Sequence, residues 1–125
     1  MANVRTDLAV EAHSLWRESA GETGELAGVE TAEQELEGMM LTEVRITGEE
    51  GERALGKPRG TYVTLELDGL LRREENAFRR AVEAVAGSLR PLLPEAGPAL
   101  VVGLGNRAVT PDLIGPLAVD HLLVT

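Results

Sequence analysis

The sequence predicts an α/β domain with a mostly parallel central sheet, and three observations carry that prediction. Residues 41–47 and 60–69 alternate apolar and polar side chains with the period of a strand. Phe78, Val82, Val85 and Leu89 recur at i, i+4, i+7 and i+11, the period of a helix. The stretch "PEAGPALVVGLG" then ends that helix with Pro and Gly and opens a short continuous apolar run, the pattern of a strand buried on both faces in a parallel sheet.

Taken in order, residues 8–18, "LAVEAHSLWRE", form an amphipathic helix with Leu8, Ala12 and Leu15 on one side and Glu11, Arg17 and Glu18 elsewhere. Residues 19–38 are rich in Gly and Glu and poor in bulky apolar groups, so they read as an acidic flexible loop. In "LTEVRIT", Val44 and Ile46 alternate with Glu43, Arg45 and Thr47, and "GTYVTLELDG" puts Val63, Leu65 and Leu67 on one face. These are two neighbouring strands. The polar connection "GEEGERALGKPRG" is long for a hairpin loop and has room for a helical turn of its own. From Asp68 to Leu93 one helix is expected, with Phe78, Val82, Val85 and Leu89 facing the core and Arg72, Arg73, Arg79, Arg80 and Glu83 largely opposite. No internal repeat and no interior linker is evident, and the chain reads as part of one domain.

Composition narrows the function. A chain of 125 residues with 43% hydrophobic content can build one core, although it holds only one Phe, one Tyr and one Trp. The net charge of −9 repels phosphate backbones and anionic lipid, so neither nucleic acid nor a membrane is an expected partner. The absence of cysteine removes disulfides and thiolate zinc sites, and His13 and His121 are too far apart to make a local ligand motif. The N-terminal stretch has no secretory character and no run reaches membrane-spanning length, which makes the expected location cytoplasmic. Trp16, Met39 and Met40 are assigned to packing, and His121 to an ordinary helical position.

Chemistry concentrates in "LVVGLGNRAVTPDLIGP", residues 100–116. "GLGNRA" fits the G-x-G-x-x-A form of a dinucleotide-binding turn. Pro111 argues against it, because six residues after Gly105 it would break the helix that such a turn must open, at a cost of about 3 kcal/mol. A helix start at Thr110 instead uses its hydroxyl as N-cap and places Pro111 at the first helical position, where the missing N–H is harmless. Asp112 then stands in the first turn, at the carboxyl end of a strand, while Gly103, Gly105 and Asn106 let backbone approach closely. A carboxylate there serves either as a plain stabiliser of the helix start or as a reactive group. Aspartic-type hydrolysis needs two carboxyls sharing one proton, and Asp120, two helical turns or about 12 Å further along, is too distant to be the partner.

Three segments carry a family resemblance: "VRTDLAVEA" at 4–12, "GKPRGTYVTLEL" at 56–67 and "LVVGLGNRAVTPDLIGPLAVDHLLVT" at 100–125. In this order and over nearly the whole chain they resemble the N-terminal part of the germination proteases of spore-forming bacteria. The resemblance implies a three-layer α/β fold of the phosphorylase/hydrolase or hydrogenase-maturation-peptidase kind, incomplete in this chain. It implies an endopeptidase that degrades small acid-soluble spore proteins in the cytoplasm of the germinating spore, acts as an atypical aspartic protease without metal or cofactor, and assembles as a homotetramer. Asp112 matches one of the family's two proposed catalytic aspartates, in a motif that reads "TPDALGP" in the family and departs from it here at Leu113 and Ile114. Arg107 replaces an aromatic or apolar residue usual after "GLGN". The second aspartate lies in a continuation of the family's chain, so 1–125 reads as an N-terminal piece that is inactive by itself. The family is made as a zymogen, which makes 1–7 an expected propeptide with cleavage between Asp7 and Leu8. A weaker likeness to hydrogenase-maturation peptidases gives one alternative to weigh, a metal-dependent peptidase with Asp112 as ligand; a separate, non-enzymatic alternative is a non-catalytic half that assembles with a second chain.

Overall fold

A computed structural model describes residues 8–21 and 25–123, and the chain divides into two compact units, residues 1–93 and 94–125. Within the first unit, α1 spans Ala9–Ala20, β1 Val29–Leu36, β2 Met39–Ile46, α2 Glu49–Leu55, β3 Gly60–Leu65, α3 Asp68–Leu71 and α4 Ala77–Leu89. The second unit contains α5, Ile114–Asp120.

The strands form one antiparallel sheet in the order β1-β2-β3. The two expected strands are therefore neighbours, and the intervening helical turn is α2. The sheet itself corrects the expectation of a mostly parallel one. β2 is central and is buried on both faces because its two sets of side chains meet different helices. Val44 and Ile46 join Ala9 of α1 and Leu55 of α2, with Val10, Ala12, Trp16, Val29 and Tyr62 packed around them. Met39 packs on the other face with Ala81 and Ala84 of α4, flanked by Leu36, Leu65, Leu67 and Leu70. Met39 and Trp16 thus do the packing assigned to them, whereas Met40 is exposed.

Over 29–36, β1 corrects the reading of 19–38 as a flexible loop. Register pairs Leu36 with Met39, leaving Glu37 and Gly38 as a two-residue hairpin loop with φ of 53° and 76°. Two consecutive positive φ angles define the turn whose twist matches paired strands, and Gly38 takes its share of that geometry without steric cost. "VETAEQEL" is an edge strand exposed along most of its length, so backbone bonding to β2 orders it without an apolar alternation.

Two helix faces also differ from expectation. α1 turns Ala9, Ala12 and Trp16 inward and leaves Leu8 and Leu15 exposed. The helix expected over 68–93 is interrupted between α3 and α4, where Arg73 and Asn76 take left-handed φ of 55° and 57°. Glu74 ties that break together by accepting from Arg72 Nε at 2.9 Å and Arg80 Nη2 at 3.4 Å. These two cations hold the Glu74 carboxyl below its ordinary range, Arg72 contributing most. α4 buries Ala77, Ala81 and Ala84 rather than its large apolar stripe: Phe78 is 73% exposed, Val82 51% and Leu89 47%. Alanine suits the buried face because the helix lies close on the sheet, Ala84 being completely covered.

The run 98–102 corrects a second expectation. It forms no strand among the described residues, and Leu100 is 91% exposed. A segment buried on both faces needs ladder partners on both sides, and the three-stranded sheet does not include it.

Candidate active site

The second unit brings together most of the residues singled out after position 100. Its basis is close contact between the backbone of 103–105 and that of 112–116. A side chain at Gly103 would fall 2.6 Å from Val119 Cγ2 and collide with the Gly115 carbonyl oxygen. Gly105, with φ of +153°, occupies a conformation that other residues rarely adopt, and a Cβ there would collide with the Asp112 carbonyl oxygen and lie 2.9 Å from Pro116 Cδ.

This contact carries Asn106 to Asp112. The Asn106 N–H donates to Asp112 Oδ2 at 2.8 Å. Asn106 Oδ1 accepts the Ala108 N–H at 2.9 Å, and the Asn106 carbonyl accepts the Val109 N–H at 3.0 Å. The asparagine thus organises its own turn, a common use of this side chain. Thr110–Asp112 forms a single 3-10 turn in which the Asp112 N–H donates to the Val109 carbonyl at 2.9 Å.

Thr110 is consequently not the N-cap of the helix. α5 begins at Ile114, its N-cap is Leu113, and no side chain caps it. Pro116 explains the shift. In a helix starting after Thr110 it would lie in the interior, facing the Asp112 carbonyl with no N–H to give. In a helix starting at Ile114 it is the third residue, where no intrahelical donor is required. Asp112 therefore stands just before the helix, on an exposed turn, oriented by the Asn106 amide.

Asp120 serves as an ion-pair partner. Arg107 Nη1 donates to Asp120 Oδ2 at 2.7 Å and Nη2 to Oδ1 at 2.9 Å, a two-pronged pair across thirteen residues. These hydrogen bonds and the guanidinium charge hold the Asp120 carboxyl below its ordinary range and push the Arg107 guanidinium up. Both oxygens of Asp120 are thus engaged by a cation, which unsuits it for sharing a proton with Asp112. No local pattern in the sequence marks this pair, whose members stand thirteen residues apart. His121 follows α5, its Nδ1 lying 2.8 Å from the Leu117 carbonyl oxygen, an ordinary helix-end contact.

Elsewhere, Glu52 of α2 accepts the Arg59 N–H at 2.9 Å and Arg59 Nε at 3.1 Å, fixing the "GKPRG" segment that leads into β3. Leu8 precedes α1 as its N-cap residue, while Asp7 and the rest of 1–7 lie outside the described residues. Among the described residues there is no group of three or more His, Asp or Glu side chains arranged to hold a metal ion, and no helix is long and apolar enough to cross a membrane.

The family described as germination protease matches residues 9–125 of this chain. Germination protease from Caldanaerobacter subterraneus subsp. tengcongensis is 43% identical over 124 residues, covering 98% of this chain and 37% of the relative. The enzyme of the same name from Bacillus cytotoxicus is 44% identical over 128 residues, with 98% and 34% covered. That from Clostridium perfringens is also 44% identical over 128 residues, with 100% of this chain and 39% of the relative covered. The chain spans a little over a third of the length of these curated relatives. No solved structure matches it.

Proposed function

The chain belongs to the germination protease family, and we propose on that basis that it supplies Asp112 as one carboxylate of an aspartic-type pair for peptide hydrolysis. The observation that carries this reading is the Asn106 N–H bond to Asp112 Oδ2, which orients an exposed carboxylate over a turn that glycine alone allows. In the proposed reaction Asp112 takes a proton from water as its oxygen attacks the scissile carbonyl carbon. A protonated partner carboxyl donates to the carbonyl oxygen. The tetrahedral intermediate then collapses: the C–N bond breaks, the amine leaves with the proton that Asp112 had taken, and a hydroxyl of the intermediate returns its proton to the partner as the new carbonyl forms. Because Arg107 engages Asp120, Asp120 is not that partner, and on this reading the partner carboxyl belongs to the continuation that the family resemblance implies, which leaves the 125-residue chain inactive by itself. Gly103, Gly105, Asn106 and Thr110 shape the turn.

The substrate proposed is a small acid-soluble spore protein, degraded in the spore cytoplasm by a homotetramer made as a zymogen. The family resemblance supports these assignments, and the same reading proposes processing at the Asp7–Leu8 bond, just ahead of the N-cap residue of α1.

Replacing Asp112 by Asn in the active full-length enzyme tests the catalytic assignment. The amide keeps the size and can still accept from Asn106 but cannot take a proton, so turnover should fall by at least a thousandfold with the thermal transition retained. Turnover within tenfold of the parent would assign Asp112 to the turn alone. N-terminal sequencing of the mature enzyme tests processing: Leu8 is the expected first residue, and active enzyme beginning at Met1 or Ala2 refutes it.

A further inference from the structure

We propose that Arg107 and Asp120 are positioning residues that hold the Asn106–Asp112 turn in register, Arg107 acting through its neighbour Asn106 and Asp120 through α5. The proposal deepens the assignment of Asp112 and rests on it for any consequence in catalysis. Large apolar side chains contribute little of this work: in the second unit Leu100, Leu104, Ile114 and Leu123 are all more than three-quarters exposed, and Pro116 is the buried residue of α5. The unit must therefore be held by backbone approach and polar links. One link lies at the start of α5, where Gly115 meets the backbone of Leu104. The other lies at its end, where the planar guanidinium of Arg107 matches both oxygens of Asp120 at 2.7 and 2.9 Å.

Each link closes a stretch of chain, 104–115 and 107–120, that contains the 3-10 turn and Asp112. An exposed ion pair adds little stability, but two parallel N–H···O bonds fix orientation in a way that one flexible contact does not. Arg107 is next to the residue whose N–H orients the carboxylate. Releasing its side chain frees the turn to rotate the Asn106 amide away from Oδ2. Lysine would keep the charge and lose the second prong.

The test uses the 125-residue chain and the Asn106 amide proton in NMR spectra as pH is varied. In the parent this proton should show a titration step that vanishes in Asp112→Asn, which identifies it with that carboxyl. Arg107→Gln and Asp120→Asn should each reduce the step by at least half, Arg107→Lys by less, and the exchanged pair Arg107→Asp with Asp120→Arg should restore most of it. Amide dispersion of residues 29–65 monitors folding of the first unit, and that of α5 monitors the second. A full step in both single variants overturns the proposal, as does its loss in the exchanged pair when α5 remains folded, or the absence of any step from Asp112 in the parent. Turnover surviving Asp112→Asn in the full-length enzyme would defeat the catalytic assignment, whereas positioning stands or falls on the NMR titration alone.

Discussion

Substituting Gly105 by Ala should break the site while sparing the first unit. Two costs coincide at this position. The φ of +153° lies in a region that side-chain-bearing residues enter at about 1–3 kcal/mol. The added methyl also collides with the Asp112 carbonyl and approaches Pro116 Cδ to 2.9 Å, an overlap of the kind that costs about 1–3 kcal/mol when backbone must yield. Gly97 provides the control within the same unit, because its φ is +101° but nothing lies within 4 Å of the methyl it would gain. Gly97→Ala carries strain without collision. Hydrogen exchange at the Asn106 amide reads the difference, since that N–H is bonded to Asp112 Oδ2 at 2.8 Å. At about 1.4 kcal/mol per tenfold, the collision should make Asn106 exchange about 5- to 150-fold faster in Gly105→Ala than in Gly97→Ala. Equal rates would refute the close approach of 103–105 to 112–116, and with it the placement of Asn106 against Asp112.

Other expectations concern the first unit. Ala84→Leu should destabilise it by about 1–3 kcal/mol in chemical denaturation because the side chain is fully enclosed, whereas Phe78→Ser should change stability by only about 0.5 kcal/mol; the reverse ranking would mean that α4 presents its other face to the sheet. Glu37→Asn should raise the thermal midpoint, since asparagine tolerates the left-handed φ of 53° better than glutamate does, and an unchanged or lower midpoint counts against the two-residue turn. The backbone and side-chain hydrogen bonds from Arg59 depress the Glu52 carboxyl, so its contribution to stability is present above the ordinary glutamate range and is lost as pH falls through the lowered value. Glu52→Gln should therefore flatten the acid limb of the unfolding curve, and a parallel limb in the variant would dismiss the contact.

The parts legible in the sequence are those in which local pattern and tertiary burial agree. Val44 and Ile46 alternate with charged residues and do enter the core. β1 was illegible because "VETAEQEL" is ordered by bonds to β2 that leave no apolar signature, and its one local sign was the glycine of the Glu37–Gly38 turn. The stripe on α4 misled for another reason. Helical period reveals that a face is apolar but not which neighbour it meets, and Ala77, Ala81 and Ala84 compose a second apolar face that large side chains outweigh in any sequence reading. At the site, Asp112 and the glycines could be picked out from residue type. The helix boundary required weighing Pro116 as well as Pro111, and the Arg107–Asp120 pair joins residues that only the returning backbone brings together.

The outward stripe of α4 bears on how this chain behaves in solution. Phe78, Val82, Val85 and Leu89, followed by Leu92, offer a ridge of hydrocarbon to any other molecule of the protein. Opposing that attraction is a net charge of −9, whose mutual repulsion holds chains apart at neutral pH and low ionic strength. The balance is colloidal, and it tips before the fold does. Salt shortens the reach of the repulsion to about 10 Å at 0.1 M, and acidification toward the isoelectric point near 4.7 removes it. Self-association should accordingly set in on approach to that pH while β2 and its two helical covers are still intact, so that light scattering rises ahead of any loss of secondary structure.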